Sequence, residues 1–86
     1  MHRTTIRFKE AFNALPDKVQ KAAITNFELL KKNPRHPSLH FKKIGKLWSL
    51  RIGLNYRALA IKDNADYTWV WIGSHDNYMK MLKKDK

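Results

Sequence analysis

Two prolines within Pro34-Arg35-His36-Pro37 divide the chain into halves that cannot share one kind of secondary structure. Proline fixes φ and removes an amide donor, so neither a helix nor a central strand runs through this segment. Asn33, just before Pro34, is pushed out of the α region, and a helix must stop there. Residues 34–38 are therefore expected to be a stiff, irregular connector. Upstream of it apolar residues recur at helical spacing. Downstream they fall into short extended runs.

In the first half, Phe8, Ala11, Phe12 and Leu15 stand at i, i+3, i+4 and i+7, one apolar stripe of a helix with Thr4 or Thr5 as its cap. The first few residues can alternatively pair as a short edge strand. Pro16 breaks the pattern and suits the first position of a second helix, where Asp17 complements the helix dipole. Val19, Ala22, Ala23, Phe27 and Leu30 form the second apolar stripe, with Lys18, Lys21, Thr25, Glu28 and Lys32 opposite. Two helices about Pro16 make a helical hairpin.

In the second half, residues 39–44, 47–52, 56–61 and 67–72 are runs of about six residues. Each ends at a glycine or at Asp63-Asn64-Ala65-Asp66. This spacing predicts a meandering antiparallel sheet. Trp48, Leu50 and Ile52 share one face of their strand, and Ser49 and Arg51 the other. Arg51 is thus expected on the face away from the core. In the next strand Arg57 lies with Leu59 and Ile61, and Tyr56 with Ala58 and Ala60, and either set can face the helices. Asp76 to Lys83 reads as a short C-terminal helix or turn. The expected fold class is α+β: an N-terminal helical hairpin packed on a three- to four-stranded antiparallel sheet, in a single domain spanning residues 1–86.

Charge limits the partners. Eighteen Lys and Arg against seven Asp and Glu give +11, and no acidic residue lies between Leu29 and Lys62. A window of one sign that long points to a polyanionic partner, most often nucleic acid. No apolar run approaches the roughly 18 residues of a membrane span. The first five residues lack the apolar segment of a secretory signal. With no cysteine there is no thiolate metal site or disulfide. A cytoplasmic location fits these features.

The chemistry concentrates near the end, where Trp69-Val70-Trp71-Ile72-Gly73-Ser74 leads into His75 and then Tyr78. A histidine just past a rigid strand can exchange protons near neutral pH. Tyr78 can donate to a phosphate or stack on a base, or simply pack a C-terminal turn on the sheet. Arg51 and Arg57 flank the turn Gly53-Leu54-Asn55, so antiparallel pairing brings them together as a potential phosphate clamp. Lys42, Lys43 and Lys46, with His40, make a basic patch suited to a sugar–phosphate backbone. His36 and His40 have zinc-like spacing, but no cysteine or carboxylate cluster completes a site, and neither metal nor cofactor is expected. Trp69 and Trp71, two apart, should share one strand face, and core packing suits at least two of the three tryptophans. Phosphate-binding glycine loops, paired carboxylates and serine-nucleophile elbows are missing from the sequence.

Four segments carry a family resemblance: Leu15-Pro16-Asp17-Lys18-Val19-Gln20, residues 33–39, Trp48 through Leu59, and Trp71-Ile72-Gly73-Ser74-His75. Together they resemble the RelE/ParE superfamily of toxins from toxin–antitoxin pairs. The more specific parts are the Arg-Ile-Gly-x-x-Tyr-Arg hairpin and the Gly-Ser-His ending, which is similar to the YafQ and HigB branch. The resemblance implies a RelE-like fold and a metal-independent endoribonuclease that cleaves mRNA on the ribosome. It also implies a small acidic antitoxin as partner, with the toxin a monomer alone and part of a hetero-oligomer when neutralised. By the same resemblance Arg57 contacts the scissile phosphate, Arg51 assists, His75 is the general acid or base and Tyr78 lies near the completing aromatic. The first strand usual in the family is short or missing, and His40 is the candidate for a second histidine. A non-catalytic nucleic-acid binder and a ParE-like gyrase inhibitor are alternatives within the same fold.

Overall fold

A computed structural model describes residues 2–84. The elements run β1 (His2–Thr4), α1 (Ile6–Asn13), α2 (Asp17–Lys32), a 3-10 turn (Pro37–Leu39), β2 (Lys42–Ile44), β3 (Leu47–Ile52), β4 (Tyr56–Asp63), β5 (Asp66–Ser74) and α3 (His75–Lys84). The five strands form one sheet in the order β1-β5-β4-β3-β2. β2 to β5 form the antiparallel meander. The fifth strand is the short edge strand that the N-terminus allowed: β1 pairs with β5 in parallel, His2 opposite Tyr67 and Thr4 opposite Trp69.

Local chemistry sets the helix ends. Thr5 caps α1, its Oγ1 accepting from the Phe8 amide at 3.0 Å. The tight α1–α2 turn is stitched by Gln20, whose Nε2 donates to the Asn13 and Leu15 carbonyls at 3.2 and 3.0 Å. Those carbonyls would otherwise lack partners at a helix end. Pro16 stands one residue outside α2 as its N-cap, rather than at its first position, and α2 ends at Asn33 as the following proline requires.

The connector is more regular than expected. Pro37–Leu39 make a single 3-10 turn, capped by His36, whose Nδ1 accepts from the Ser38 amide at 3.2 Å. His40 then takes a left-handed conformation, φ 44 and ψ 41, and turns the chain. The predicted strand over 39–44 is therefore confined to Lys42–Ile44.

The core lies between the helical hairpin and one face of the sheet. Phe8, Ala23, Leu30 and Leu39 pack there against Leu50, Ile52, Ala58, Ala60, Trp69 and Ile72. The two alanines settle the parity of β4: being small and fully buried, they sit beneath the helices, and Arg57 takes the other face. In β5 the parity changes midway. Leu59 pairs with Trp71 and Ala60 with Trp69, which leaves Val70 as the extra residue of a β-bulge. The expectation that Trp69 and Trp71 share a face is thereby corrected. Trp69 is 1% exposed in the core, its ring 4.8 Å from that of Phe27, whereas Trp71 stands on the opposite face.

Candidate active site

Strand alternation places Ser49 and Arg51 of β3, Arg57 and Leu59 of β4, and Trp71 of β5 on the face away from the helical hairpin. α3 crosses this face. Ser74 starts it, with Oγ accepting from the Asn77 amide at 3.2 Å, an N-cap bond. His75 is therefore the first helical residue. Its amide donates to the Asn55 carbonyl at 2.6 Å, which ties the helix entry to the β3–β4 turn. One helical turn on, Tyr78 is 5% exposed, with its ring 6.5 Å from Trp71 and 6.1 Å from His75. The packing role considered for Tyr78 is present, and the same side chain borders the cleft.

Gly73 accommodates this arrangement. A Cβ there would lie 2.6 Å from the Trp71 indole, so only glycine leaves the ring in its place. Arg57 is the cross-strand partner of Gly73.

A cleft of about 270 Å³ opens between α3, β4 and the β2 edge. His40, Lys42, Ser49, Arg57, His75 and Tyr78 line it, with Ile44 and Met79 at its apolar side. Five of the eight residues singled out from the sequence thus meet: His40, Lys42, Arg57, His75 and Tyr78. Ile44, Ser49 and Met79 are additions. Ser49 was legible in its alternation with Arg51. Met79 depends on the docking of α3.

Strand parity separates the predicted basic patch. Lys42 pairs with Ser49 and faces the cleft, whereas Lys43 pairs with Trp48. Lys43 and Lys46 border a separate surface with Trp48 and Lys62. There the Lys62 ammonium stands 5.4 Å over Trp48 and 5.7 Å over Tyr67, within cation–π range.

Arg51 and Arg57 are direct cross-strand partners, as their positions about the turn required. Their side chains then diverge. Arg57 Nη1 donates to the Tyr56 carbonyl at 2.8 Å. Arg51 donates through Nε to the Gly53 carbonyl and through Nη1 to His40 Nε2, both at 3.0 Å. Burial, and secondly the neighbouring Arg51 charge, lower the proton affinity of Arg57, while Tyr78 acts in the opposite sense. A guanidinium stays charged in proteins, so the lowering marks a cation that would gain from an anion.

His2 escaped the sequence reading. Its Nδ1 accepts from Trp69 Nε1 at 3.1 Å, and its ring stacks on Tyr67 at 5.3 Å and 12°. Nothing in the local pattern signals this, because the partners lie in β5, more than sixty residues away.

A family model described as a ParE-like toxin domain matches residues 17–80. The chain belongs to that family, within the RelE/ParE superfamily of toxins. Solved structures agree in fold. RelE in the RelB-RelE antitoxin-toxin complex from Methanococcus jannaschii superposes with a TM-score of 0.73 at 14% identity, covering 92% of this chain and 96% of that one. YafQ from E. coli strain BL21(DE3) gives 0.69 at 8%, covering 91% and 96%. The isolated E. coli RelE toxin gives 0.65 at 11%, covering 100% and 98%. No curated protein sequence matches the chain at a significant level. Among the described residues no helix is long and apolar enough to cross a membrane.

Proposed function

We propose that this ParE-like toxin domain is the toxin of a toxin–antitoxin pair and a metal-independent endoribonuclease that cleaves mRNA on the ribosome in the cytoplasm. The observation that carries the reading is the convergence of His75 and Arg57 in one basic cleft, bordered by Lys42 and His40. The 2′-hydroxyl of the RNA attacks the adjacent phosphorus, forming the 2′-O–P bond while the 5′-oxygen departs. His75 moves one of the two protons in that exchange, at a position fixed by the Asn55 carbonyl and the Ser74 cap. Arg57 stabilises the charge that builds on the non-bridging oxygens, where a preorganised donor acts most strongly. Tyr78 packs beneath His75 and sets its approach. Lys42 on the cleft side, and Lys43 and Lys46 on the other, hold mRNA and ribosomal RNA backbones.

The partner that neutralises it is a small acidic antitoxin. RelE of M. jannaschii and of E. coli are both found in complexes with RelB antitoxins, and the +11 charge of this chain suits an acidic segment. Removing a general acid or base costs about 10²–10⁴-fold. His75→Ala is therefore expected to abolish growth arrest and the mRNA cuts seen by primer extension after induction. Full toxicity at equal protein level would remove His75 from the mechanism. The matching family description, ParE-like, favours one second reading, a gyrase-directed toxin. That reading requires DNA-damage induction, intact mRNA and a dispensable His75.

A further inference from the structure

His40 stands in a backbone region that side chains other than glycine rarely occupy, with φ 44 and ψ 41. Such strain persists only where the surroundings hold it, and it gathers at functional sites. The backbone is held as the C-cap of the 3-10 turn, the His40 amide donating to the Pro37 carbonyl at 3.3 Å, and the side chain is held by Arg51. Its Nε is anchored on the Gly53 carbonyl and its Nη1 reaches His40 Nε2, each at 3.0 Å. Arginine carries five donors and no acceptor. His40 Nε2 must therefore accept, which leaves the ring neutral with its proton on Nδ1. Among the described residues, Nδ1 has no hydrogen-bond partner, and His40 lines the cleft beside Arg57 and His75. Arg51 itself is not among the cleft's lining residues.

We propose that Arg51 is a positioning residue rather than a second phosphate clamp: it fixes His40 as the Nδ1–H tautomer, so that His40 presents a neutral donor to a phosphate in the cleft. For its substrate the inference rests on the endoribonuclease reading; for its geometry it does not. The assignment explains why two arginines stand directly opposite each other in β3 and β4 despite their like charge. One cation, Arg57, meets the anion. The other is spent on orientation, and its planar fork spans Gly53 and His40 together, which a lysine ammonium lacks the geometry to do.

Two measurements test this. The first is long-range proton–nitrogen NMR of histidine-labelled protein at alkaline pH, where imidazoles are neutral. Wild type is expected to show His40 protonated on Nδ1, and R51M to show a shift to the Nε2–H form. A wild-type His40 already protonated on Nε2, or an R51M spectrum unchanged at His40, overturns the proposal. The wild-type arm stands even if R51M folds poorly. The second is a double-mutant cycle on mRNA cleavage with H40N, since asparagine tolerates the left-handed backbone. R51M and H40N are each expected to lose about 10²–10³-fold, the loss typical of one oxyanion donor, and the double variant to lose no more than H40N alone. Multiplied losses would restore Arg51 as an independent clamp and overturn the proposal. A wild-type protein that cuts no mRNA would overturn the endoribonuclease reading, while the tautomer measurement would still decide the role of Arg51.

Discussion

The two faces of the sheet are built on opposite principles from the same strands. The face under α1 and α2 is closed: Leu50, Ile52, Ala58, Ala60, Trp69 and Ile72 are all buried there. The face under α3 is only partly covered. Leu59 and Tyr78 are buried against it, but Arg51, Arg57, Trp71 and His75 remain half-exposed, and of these Arg57 and His75 line the cleft. Residue by residue along β3 and β4, one side chain faces the core and the next faces the open side. Stability and activity should therefore be separable by single substitutions one position apart.

The largest test is Leu50→Ala, on the closed face. It should cost about 2–5 kcal/mol in denaturant unfolding, the usual penalty for emptying a buried leucine site. A loss below 1 kcal/mol would mean that this face is not the core. Arg57→Ala, across the sheet, should cut cleavage by about 10²–10³-fold. It should also leave the unfolding midpoint unchanged or raised, because it relieves the like-charge pair with Arg51. A lowered midpoint would merge the two roles. Gly73→Ala comes next. The added methyl meets the Trp71 ring at 2.6 Å, and overpacking of this kind costs about 1–3 kcal/mol. The checks are unfolding and a change in tryptophan emission, and an unchanged spectrum would place Trp71 elsewhere.

Two finer tests follow. Lys42→Ala and Lys43→Ala sit on opposite sides of one short strand. Each should lower the salt slope of ribosome binding by about one, but only Lys42→Ala should also reduce cleavage of bound mRNA. Equal effects on cleavage would contradict the split. The smallest effect concerns His2. Burial, with nearby positive charge including Lys31, lowers its pKa from the ordinary 6.5. The unfolded chain then binds the proton more readily than the fold. The contribution of His2 to stability is thus complete above 6.5 and is lost as pH falls through 6.5 towards the lowered value. Protonation also removes the acceptor for Trp69 Nε1. His2→Gln should flatten that part of the pH–stability curve, and an identical curve would show that His2 does not contribute.

The contrast between the faces was legible where alternation is unbroken and illegible where it is not. In β3, Leu50 and Arg51 declared their sides by period alone. In β4 the alternatives stayed open, because Ala58 and Ala60 are compatible with either side until helices are seen above them. In β5 the period misleads, since the Val70 bulge shifts every residue after it by one. The basic run Lys42-Lys43 looked like one patch because sequence proximity hides which side each residue takes. The Arg51–His40 bond was out of reach for another reason. It depends on the left-handed turn at His40, and the mild enrichment of histidine in that conformation is too weak to place a turn from sequence. His75 was legible as a histidine just past a rigid strand end, but the segment read as starting at Asp76 begins at His75, because the Ser74 cap that opens it was not read from the sequence.

Both lateral limits of the sheet are strands of only three residues, and both carry exposed cations: Arg3 on β1, and Lys42 and Lys43 on β2. An unpaired edge is a template for another chain, and brevity with charge is how proteins blunt it. The same lysines proposed to hold RNA backbones thereby also guard against edge-to-edge pairing. Removing them for a binding experiment would lower solubility as well as affinity, so variants at the β2 edge call for a sedimentation control beside the binding curve.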